Sequence, residues 1–503
     1  MQASPAIAND SKGPSIRQRA THGILWVGLL SVVTRVIGLL QQFVLAWLLS
    51  KSDFGVLGLA YTVIGVVNLL ANPGIDAVLV SRRRRFRLWA SPALWMGLST
   101  GLAAMLLTIA SSPLAARVYD EPRLIAFLVI ASFSMPLQTL QIVPRAHLQA
   151  TLQFRKLTLL GVTANLLTAG LTISCAALGF GALSFAIPLP ISAAVVAVTA
   201  WSVARPQVRF VAQFRRWKYL LADSIPLAST RALLAVIAQG DYLVMGLAKF
   251  PDSAIGTYVL SYNFAVQAYR IMANSVESVL FPSLSHVSSD PLVQTRAMMR
   301  ATRLLAVSTV PFCMLQILLT QPIFELFFPQ HWQDAIVTIQ ILTLGVMINA
   351  PCWPAMSLLT AQRRFGEYFR LTLVYAVTFF IAVGYAAWAH RTINAVAIAF
   401  AMWSVWGSAF VYWMTVRPRS PYYRYFSEIY RPVLAGFIAA TPGYALLCGI
   451  SPSIWSNAAA ALAIAVSFCA IYAVMLRLLA RSDYNDFLLQ IKPLVSKLVV
   501  ARR

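Results

Sequence analysis

Charge is what this sequence has least of. Only 11% of its 503 residues are Asp, Glu, Lys or Arg, and just 16 are acidic. A soluble chain carries roughly 25% charged residues, so the deficit excludes a soluble enzyme and a disordered chain alike. Cysteine is scarce as well. Cys175, Cys313, Cys352, Cys448 and Cys469 lie in apolar stretches without paired or metal-type spacing, which excludes a disulfide framework and a zinc site. The chain has no phosphate-binding glycine loop, metal motif or nucleophile–base constellation, so neither catalysis nor ATP hydrolysis is expected of it.

What it does have is apolar length, with 59% of residues hydrophobic. A spanning helix needs about 20 mostly apolar residues. Fourteen such segments can be placed, at 22–49, 54–80, 88–112, 122–147, 156–178, 181–204, 219–247, 254–285, 298–320, 333–360, 367–389, 392–416, 431–450 and 454–479. Helices satisfy their own backbone in lipid, and no segment alternates like a barrel strand. The expectation is an all-α integral membrane protein with about fourteen transmembrane helices and both termini on one side.

Basic residues test that arrangement, because they collect on the cytoplasmic side of a membrane protein. Sorted by loop, 32 of the 40 fall on the side of the termini, and only Lys51, Arg117, Arg123, Lys249 and Arg391 fall opposite. The remaining three lie inside spans. Both termini are therefore expected in the cytoplasm. The run Arg82 to Arg85 reads as part of this topology signal, with contact to anionic lipid headgroups, and not as a nucleic-acid site.

A weak internal repeat divides the chain. Thr34-Arg35 in span 1 matches Thr230-Arg231 in span 7, 196 positions later. At an offset of 201, Gly55 matches Gly256, Tyr61 matches Tyr262 and Asp76 matches Glu277. Weak internal symmetry is a mark of transporters. The organisation expected is a cytoplasmic tail (1–21), an N-lobe of six helices (22–204), a linker (205–218) and a pseudo-symmetric six-helix C-lobe (219–416). Two further helices (417–479) and a cytoplasmic amphipathic tail (480–503) complete it.

Seven ionisable residues lie where lipid should be: Arg35, Asp76, Asp223, Arg231, Asp241, Arg270 and Glu277. An arginine near mid-membrane costs at least about 2.5–3.5 kcal/mol on insertion scales, so it faces a partner or a watery cavity. Asn263, Gln267, Arg270, Asn274 and Glu277 share one face of a helix, and Tyr61, Gly65, Asn68, Asn72 and Asp76 repeat that pattern more weakly. One reading is that these faces pair with one another, Arg35 with Asp76 for example, and fix helix packing. The other is a cationic cavity between the lobes. Guanidinium groups suit phosphate or carboxylate oxygens, and carboxamides suit the hydroxyls of sugars. Pro188, Pro190, Pro226, Pro311, Pro351 and Pro354 mark expected flex points.

Several segments resemble the polysaccharide transporter (Wzx-like) flippases of the multidrug/oligosaccharidyl-lipid/polysaccharide exporter superfamily. They are Leu48-Leu49-Ser50-Lys51-Ser52-Asp53-Phe54-Gly55, Leu152-Gln153-Phe154-Arg155-Lys156-Leu157, Gln239-Gly240-Asp241-Tyr242 with Gly256-Thr257-Tyr258, and Phe281-Pro282-Ser283-Leu284-Ser285, where His286 replaces the family's usual basic residue. The resemblance covers about residues 20–415. It implies flipping of undecaprenyl-pyrophosphate-linked oligosaccharides to the periplasmic leaflet, for exopolysaccharide, capsule or O-antigen synthesis. It implies Arg35, Arg231 and Arg270 as pyrophosphate ligands, and Asp241 and Glu277 in ion coupling or charge balance; the polar stripes add Asn263, Gln267 and Asn274 as substrate ligands and Asp76 to the charge balance. No cofactor or metal is implied, only a proton or sodium gradient. The implied partners are the lipid-linked oligosaccharide, membrane lipids, and a polysaccharide polymerase with its export machinery.

Three rivals remain. A multidrug cation antiporter of the same superfamily wants an acidic lumen. A peptidoglycan-precursor flippase shares a start like Thr34-Arg35-Val36-Ile37-Gly38, but carries an Ala-Asp-Ala-Phe-type segment where this chain has Lys51-Ser52-Asp53-Phe54-Gly55. A polysaccharide polymerase exposes a large periplasmic loop that is missing here. The topology itself is directly testable. Reporter fusions after Arg85, Arg216 and Arg431 should report cytoplasm, and fusions at Lys51, Lys249 and Ser451 should report periplasm; one reversed site breaks the fourteen-span arrangement.

Overall fold

The structure, a computed structural model, describes residue 34 and residues 36–71, 74–82, 85–151, 153–208, 211, 214–267, 291–362, 364–416, 422–449 and 454–479. It is an all-α multi-pass membrane bundle. In chain order the helices are α1 (Val36–Leu48), α2 (Lys51–Ala71), α3 (Ile75–Ser81), α4 (Phe86–Tyr119), α5 (Arg123–Ser132), α6 (Ser134–Thr139) and α7 (Ile142–Ala150). Then come α8 (Phe154–Ala177), α9 (Leu183–Ala186), α10 (Pro188–Ala204), α11 (Trp217–Ala238), α12 (Gly240–Leu247) and α13 (252–267). The last are α14 (Pro291–Phe327), α15 (Ala335–Asn349), α16 (Trp353–Ala361), α17 (Phe365–His390), α18 (Ile393–Val416), α19 (Tyr422–Gly449) and α20 (Ile454–Leu479).

Nine stretches among the described residues are long and apolar enough to cross a membrane. They coincide with the expected spans 3, 4, 5, 6, 9, 10, 11, 12 and 14. Expected spans 2, 7 and 13 are also helical, but the first two are interrupted. Gly74, at φ 96°, separates α2 from α3, and Gln239 separates α11 from α12. Expected spans 1 and 8 run into residues outside those described.

The prolines act unevenly. Pro351 sits in a 3₁₀ turn, Ala350–Cys352, between α15 and α16. Pro188 opens α10, where its missing N–H would have had no partner anyway. Pro311 lies inside an unbroken α14, and Pro226 inside an unbroken α11. The flex point expected at Pro226 lies within continuous helix, and span 7 is interrupted at Gln239.

Helices of the two halves of the chain meet backbone to backbone where α2 crosses α13. A Cβ on Gly55 would lie 2.1 Å from the carbonyl oxygen of Asp252, and one on Gly256 would lie 1.8 Å from the carbonyl oxygen of Lys51. The contact is reciprocal: each helix rests its first-turn carbonyl on the other's glycine, four residues further on. Both neighbours are backbone, so neither can step aside cheaply. The match of Gly55 with Gly256 in the repeat has this steric reason.

Aromatic packing continues the junction. Trp332 is fully buried, donates its indole N–H to the carbonyl of Ala46 (3.0 Å) and meets Phe54 edge-on at 5.3 Å. Trp47 donates likewise to the carbonyl of Phe327 (2.7 Å). Phe43 packs against Phe264 and Phe328. One apolar core thus runs through both halves. Away from it, α19 and α20 pack on each other and on α14, through Val310, Met314, Ala439, Ile464 and Phe468.

Overpacking a tight site typically costs about 1–3 kcal/mol. Gly55→Ala and Gly256→Ala should therefore each lower the thermal unfolding midpoint of the purified protein by several degrees. Gly161→Ala, where a Cβ meets nothing within 4 Å, should leave it unchanged or raise it. Equal behaviour of all three would remove the crossing from the determinants of the fold.

Candidate functional site

The polar stripe on α13 points between the halves. Gly256, Asn263 and Gln267 are spaced i, i+7, i+11 and share a face. That face sets Gly256 on Lys51 and Val259 on Gly58. Asn263 and Gln267 therefore face the first half of the chain. Both are half-buried, and Gln267 Oε1 is enclosed without a hydrogen-bond partner. Arg35, Arg270, Asn274 and Glu277 lie outside the described residues, as do the side chains of Arg231 and Asp223 on the described helix α11.

Asp76 lines a cavity of about 470 Å³ within the first half, together with Asn68, Gln138, Gln141, Arg145 and Gln149. The stripe seen in span 2 thus divides: Asn68 and Asp76 face this chamber, whereas Tyr61 is exposed. Sequence reasoning missed Arg145 by sorting it with the loop charges. The signal was present, because Gln138, Gln141, Arg145 and Gln149 recur at i, i+3, i+7, i+11 along α6 and α7.

Asp241 lies elsewhere. It sits in the first turn of α12, buried, and its Oδ2 accepts the hydroxyl of Tyr258 at 2.9 Å. Its Oδ1 is buried with no hydrogen-bond partner. The carboxyl borders a largely apolar cavity of about 140 Å³ lined also by Tyr262, Asn349 and Tyr375. The Asn349 amide donates to the Tyr375 hydroxyl at 2.5 Å. A buried carboxyl with one oxygen satisfied and the other open can hold a proton or a small cation. Asp241 and Asp76 line different cavities, so the two acids do not form one site. Among the described residues no group of three or more His, Cys, Asp or Glu could hold a metal ion.

A ring of ion pairs surrounds the α2–α13 crossing, at the end where the opposite-side basic residues lie. Arg123 grips Glu121 with two hydrogen bonds (2.8 and 3.0 Å) and reaches Asp252 across the junction at 3.3 Å. It also donates to the Ser52 hydroxyl (2.6 Å) and lies 3.6 Å from Asp53. Lys51 pairs with Asp334 at 2.6 Å, and Lys249 pairs with Asp120. All three clusters join the two halves. The hydrogen bonds from Arg123 hold the Glu121 carboxyl down, to about 2. Burial, with the Glu121 carboxylate alongside, pushes Asp252 up to about 7.

A family model described as "Polysaccharide biosynthesis protein" matches residues 44–337. The chain is 26% identical over 345 residues to the succinoglycan biosynthesis transport protein ExoT of Rhizobium meliloti (strain 1021), covering 68% of this chain and 69% of that protein. It is 21% identical over 450 residues to the lipopolysaccharide biosynthesis protein WzxC of Escherichia coli (strain K12), covering 86% and 88%. Among solved structures, its fold is similar to that of the lipid II flippase MurJ in an inward closed conformation. There the TM-score is 0.75, at 14% identity over 91% of this chain and 99% of that one. An inward-facing multidrug resistance MATE family transporter of the MOP superfamily matches with a TM-score of 0.61, at 15% identity over 78% and 98%.

The ring should respond to pH through Asp252. Its pKa at the closed junction lies above its ordinary 3.8, so closure is favoured fully below that value and loses this contribution as pH rises through about 7. Glu121 has the opposite sign, and its contribution is lost only as pH falls from its ordinary 4.5 toward about 2. Between pH 5 and 8, then, acidification should tighten the junction. Spin labels placed across it should show the short-distance population growing toward pH 5 in the parent chain, and no such trend in Asp252→Asn. A trend that persists in Asp252→Asn would assign the effect to another group.

Proposed function

Because the chain belongs to the polysaccharide biosynthesis protein family, whose model spans more than half of it, we propose that it flips lipid-linked oligosaccharide repeat units from the cytoplasmic to the periplasmic leaflet. As a multi-pass bacterial membrane transporter of the MOP superfamily, it is not an enzyme. The observation that carries the proposal is the joined end. There the halves touch backbone-to-backbone at two glycines and are tied by charges whose exposed pairs contribute only about 0–1 kcal/mol each. Such a junction gives the closed end one defined geometry, as alternating access requires of each end state, and opening it separates the contacts that Phe43 and Trp332 make across the halves.

In this reading the ring is periplasmic, both termini are cytoplasmic, and the lobes 22–204 and 219–416 rock about a shared cavity. Residues 205–218 link the lobes, while 417–479 are appended to the second. Arg35, Arg231 and Arg270 offset the pyrophosphate, since a bare charge in a low-dielectric region costs many kcal/mol. Asn263, Gln267 and Asn274 take sugar hydroxyls. Asp241, open at one oxygen, couples transport to a proton or sodium gradient, while Asp76 and Glu277 balance charge. A polysaccharide polymerase and export machinery would take up the product.

A second reading, a flippase for peptidoglycan precursors, is favoured by the fold likeness. The TM-score is 0.75 to the lipid II flippase, against 0.61 to the multidrug transporter. Expression in two hosts separates the readings. In a strain lacking its exopolysaccharide flippase, the chain should restore surface polysaccharide. Losing one charge-assisted contact is worth roughly 10- to 100-fold, so Arg231→Ala should cut export about tenfold at unchanged abundance. Rescue of growth in cells depleted of their lipid II flippase, without polysaccharide export, would establish the second reading instead.

A further inference from the structure

The first-half chamber holds a cation that the transport reading leaves unused. Its volume of about 470 Å³ falls within the roughly 300–1,000 Å³ of small-ligand sites. Its walls come from α2, α3, α6, α7, α8 and α10, all in one half, so it does not depend on how the halves sit against each other.

Two of its carboxamides are already anchored: Gln141 donates to the carbonyl of Ala193 (2.9 Å) and Gln138 to the Ser134 hydroxyl (3.1 Å). Arg145 is not anchored. Its Nε is enclosed without a hydrogen-bond partner, and it forms no ion pair among the described residues. A guanidinium left this way in a membrane span is costly, and such groups are retained where something else satisfies them. Among the described residues no aromatic ring lines the chamber, so none of them offers stacking or cation–π contact to a planar organic cation there. The lining offers a fork of donors, several carboxamides and the Asp76 carboxylate.

We propose that this chamber is a subsite for an oxyanion-bearing sugar. Arg145 takes a carboxylate or phosphate oxygen, and the carboxamides with Asp76 take the hydroxyls. The subsite rests on the flippase reading for its class of ligand and adds to it a preference for acidic glycan. The oxyanion has two sources: a uronate carboxylate within the glycan, or the diphosphate of the lipid carrier.

Binding to the purified full-length chain tests this without any export assay. The probes are a glucuronate-bearing tetrasaccharide, the neutral glucose tetrasaccharide and inorganic pyrophosphate, followed by calorimetry. The acidic tetrasaccharide should bind about tenfold more tightly than the neutral one. Arg145→Ala should abolish the difference, and Arg145→Lys should keep part of it. Pyrophosphate binding that is lost in Arg145→Ala would place the diphosphate there; loss confined to the acidic tetrasaccharide would place the uronate.

Gln149→Glu keeps the arginine but puts a carboxylate beside it. It should abolish oxyanion binding even if Arg145→Ala fails to fold. Oxyanion probes that bind the parent chain, Arg145→Ala and Gln149→Glu alike would overturn the subsite, and so would equal affinity of the parent for acidic and neutral sugars without Arg145-dependent pyrophosphate binding. Normal polysaccharide export by a well-folded Arg145→Ala that no longer binds the probes would overturn its role in transport while leaving the flippase reading intact. Failed complementation alongside Arg145-dependent binding would do the reverse.

Discussion

Two backbone carbonyls resting on two glycines set the geometry on which the rest of this protein depends. At Gly55 and Gly256 no side chain separates α2 from α13, so the helices cross in one register. That register brings Asp252 to Arg123, Lys51 to Asp334 and Trp332 beneath Ala46. It also turns Asn263 and Gln267 toward the other half. The contact is sterically exact yet thermodynamically modest. Van der Waals fit specifies it, and the ion pairs around it are partly solvated and individually weak. The apolar core that runs through both halves lies beside it, so opening this end costs burial as well as ion pairs.

The same economy of polar groups governs the interior. In lipid every buried polar atom needs a partner, and the described helices meet that demand mostly through hydroxyls returned to their own backbone, as Thr108, Ser261 and Thr372 are. Of the charged groups with an atom among the exceptions, Asp76 and Arg145 line one cavity and Asp241 the other. A carboxyl with an open oxygen, Asp241, sits in a small and largely apolar cavity of the second half. A guanidinium with an open donor, Arg145, sits in a larger and more polar chamber of the first half. A small apolar enclosure suits a proton or bare cation, whose charge the single acid can meet. A larger polar chamber suits a hydrated, multiply hydroxylated ligand. The two halves, alike in their crossing helices, are thus chemically unlike inside.

Much of this was legible in the residue order. Hydropathy located the helices because a helix satisfies its own backbone in lipid, and the basic partition gives them an expected orientation. The repeat matched Gly55 with Gly256 as equivalent positions, and spacing set Asn263 and Gln267 on one face. Asp241 stood out because an acid inside a span is rare. These are properties of single helices in a known solvent, so one dimension suffices to read them.

What only the tertiary structure decided is which helix meets which, and therefore which charges matter. Arg123 and Lys249 read as unremarkable loop cations until the crossing brought acids of the other half to them. Tyr258 read as a family motif residue until it proved to hold the Asp241 carboxyl. Arg145 read as a topology signal until α3, α8 and α10 closed a chamber around it. The break in span 7 falls at Gln239, with Pro226 inside an unbroken α11. A helix face, a charge and a break are local properties carried by the sequence. Their partners are set by the packing of distant segments, which no single helix encodes.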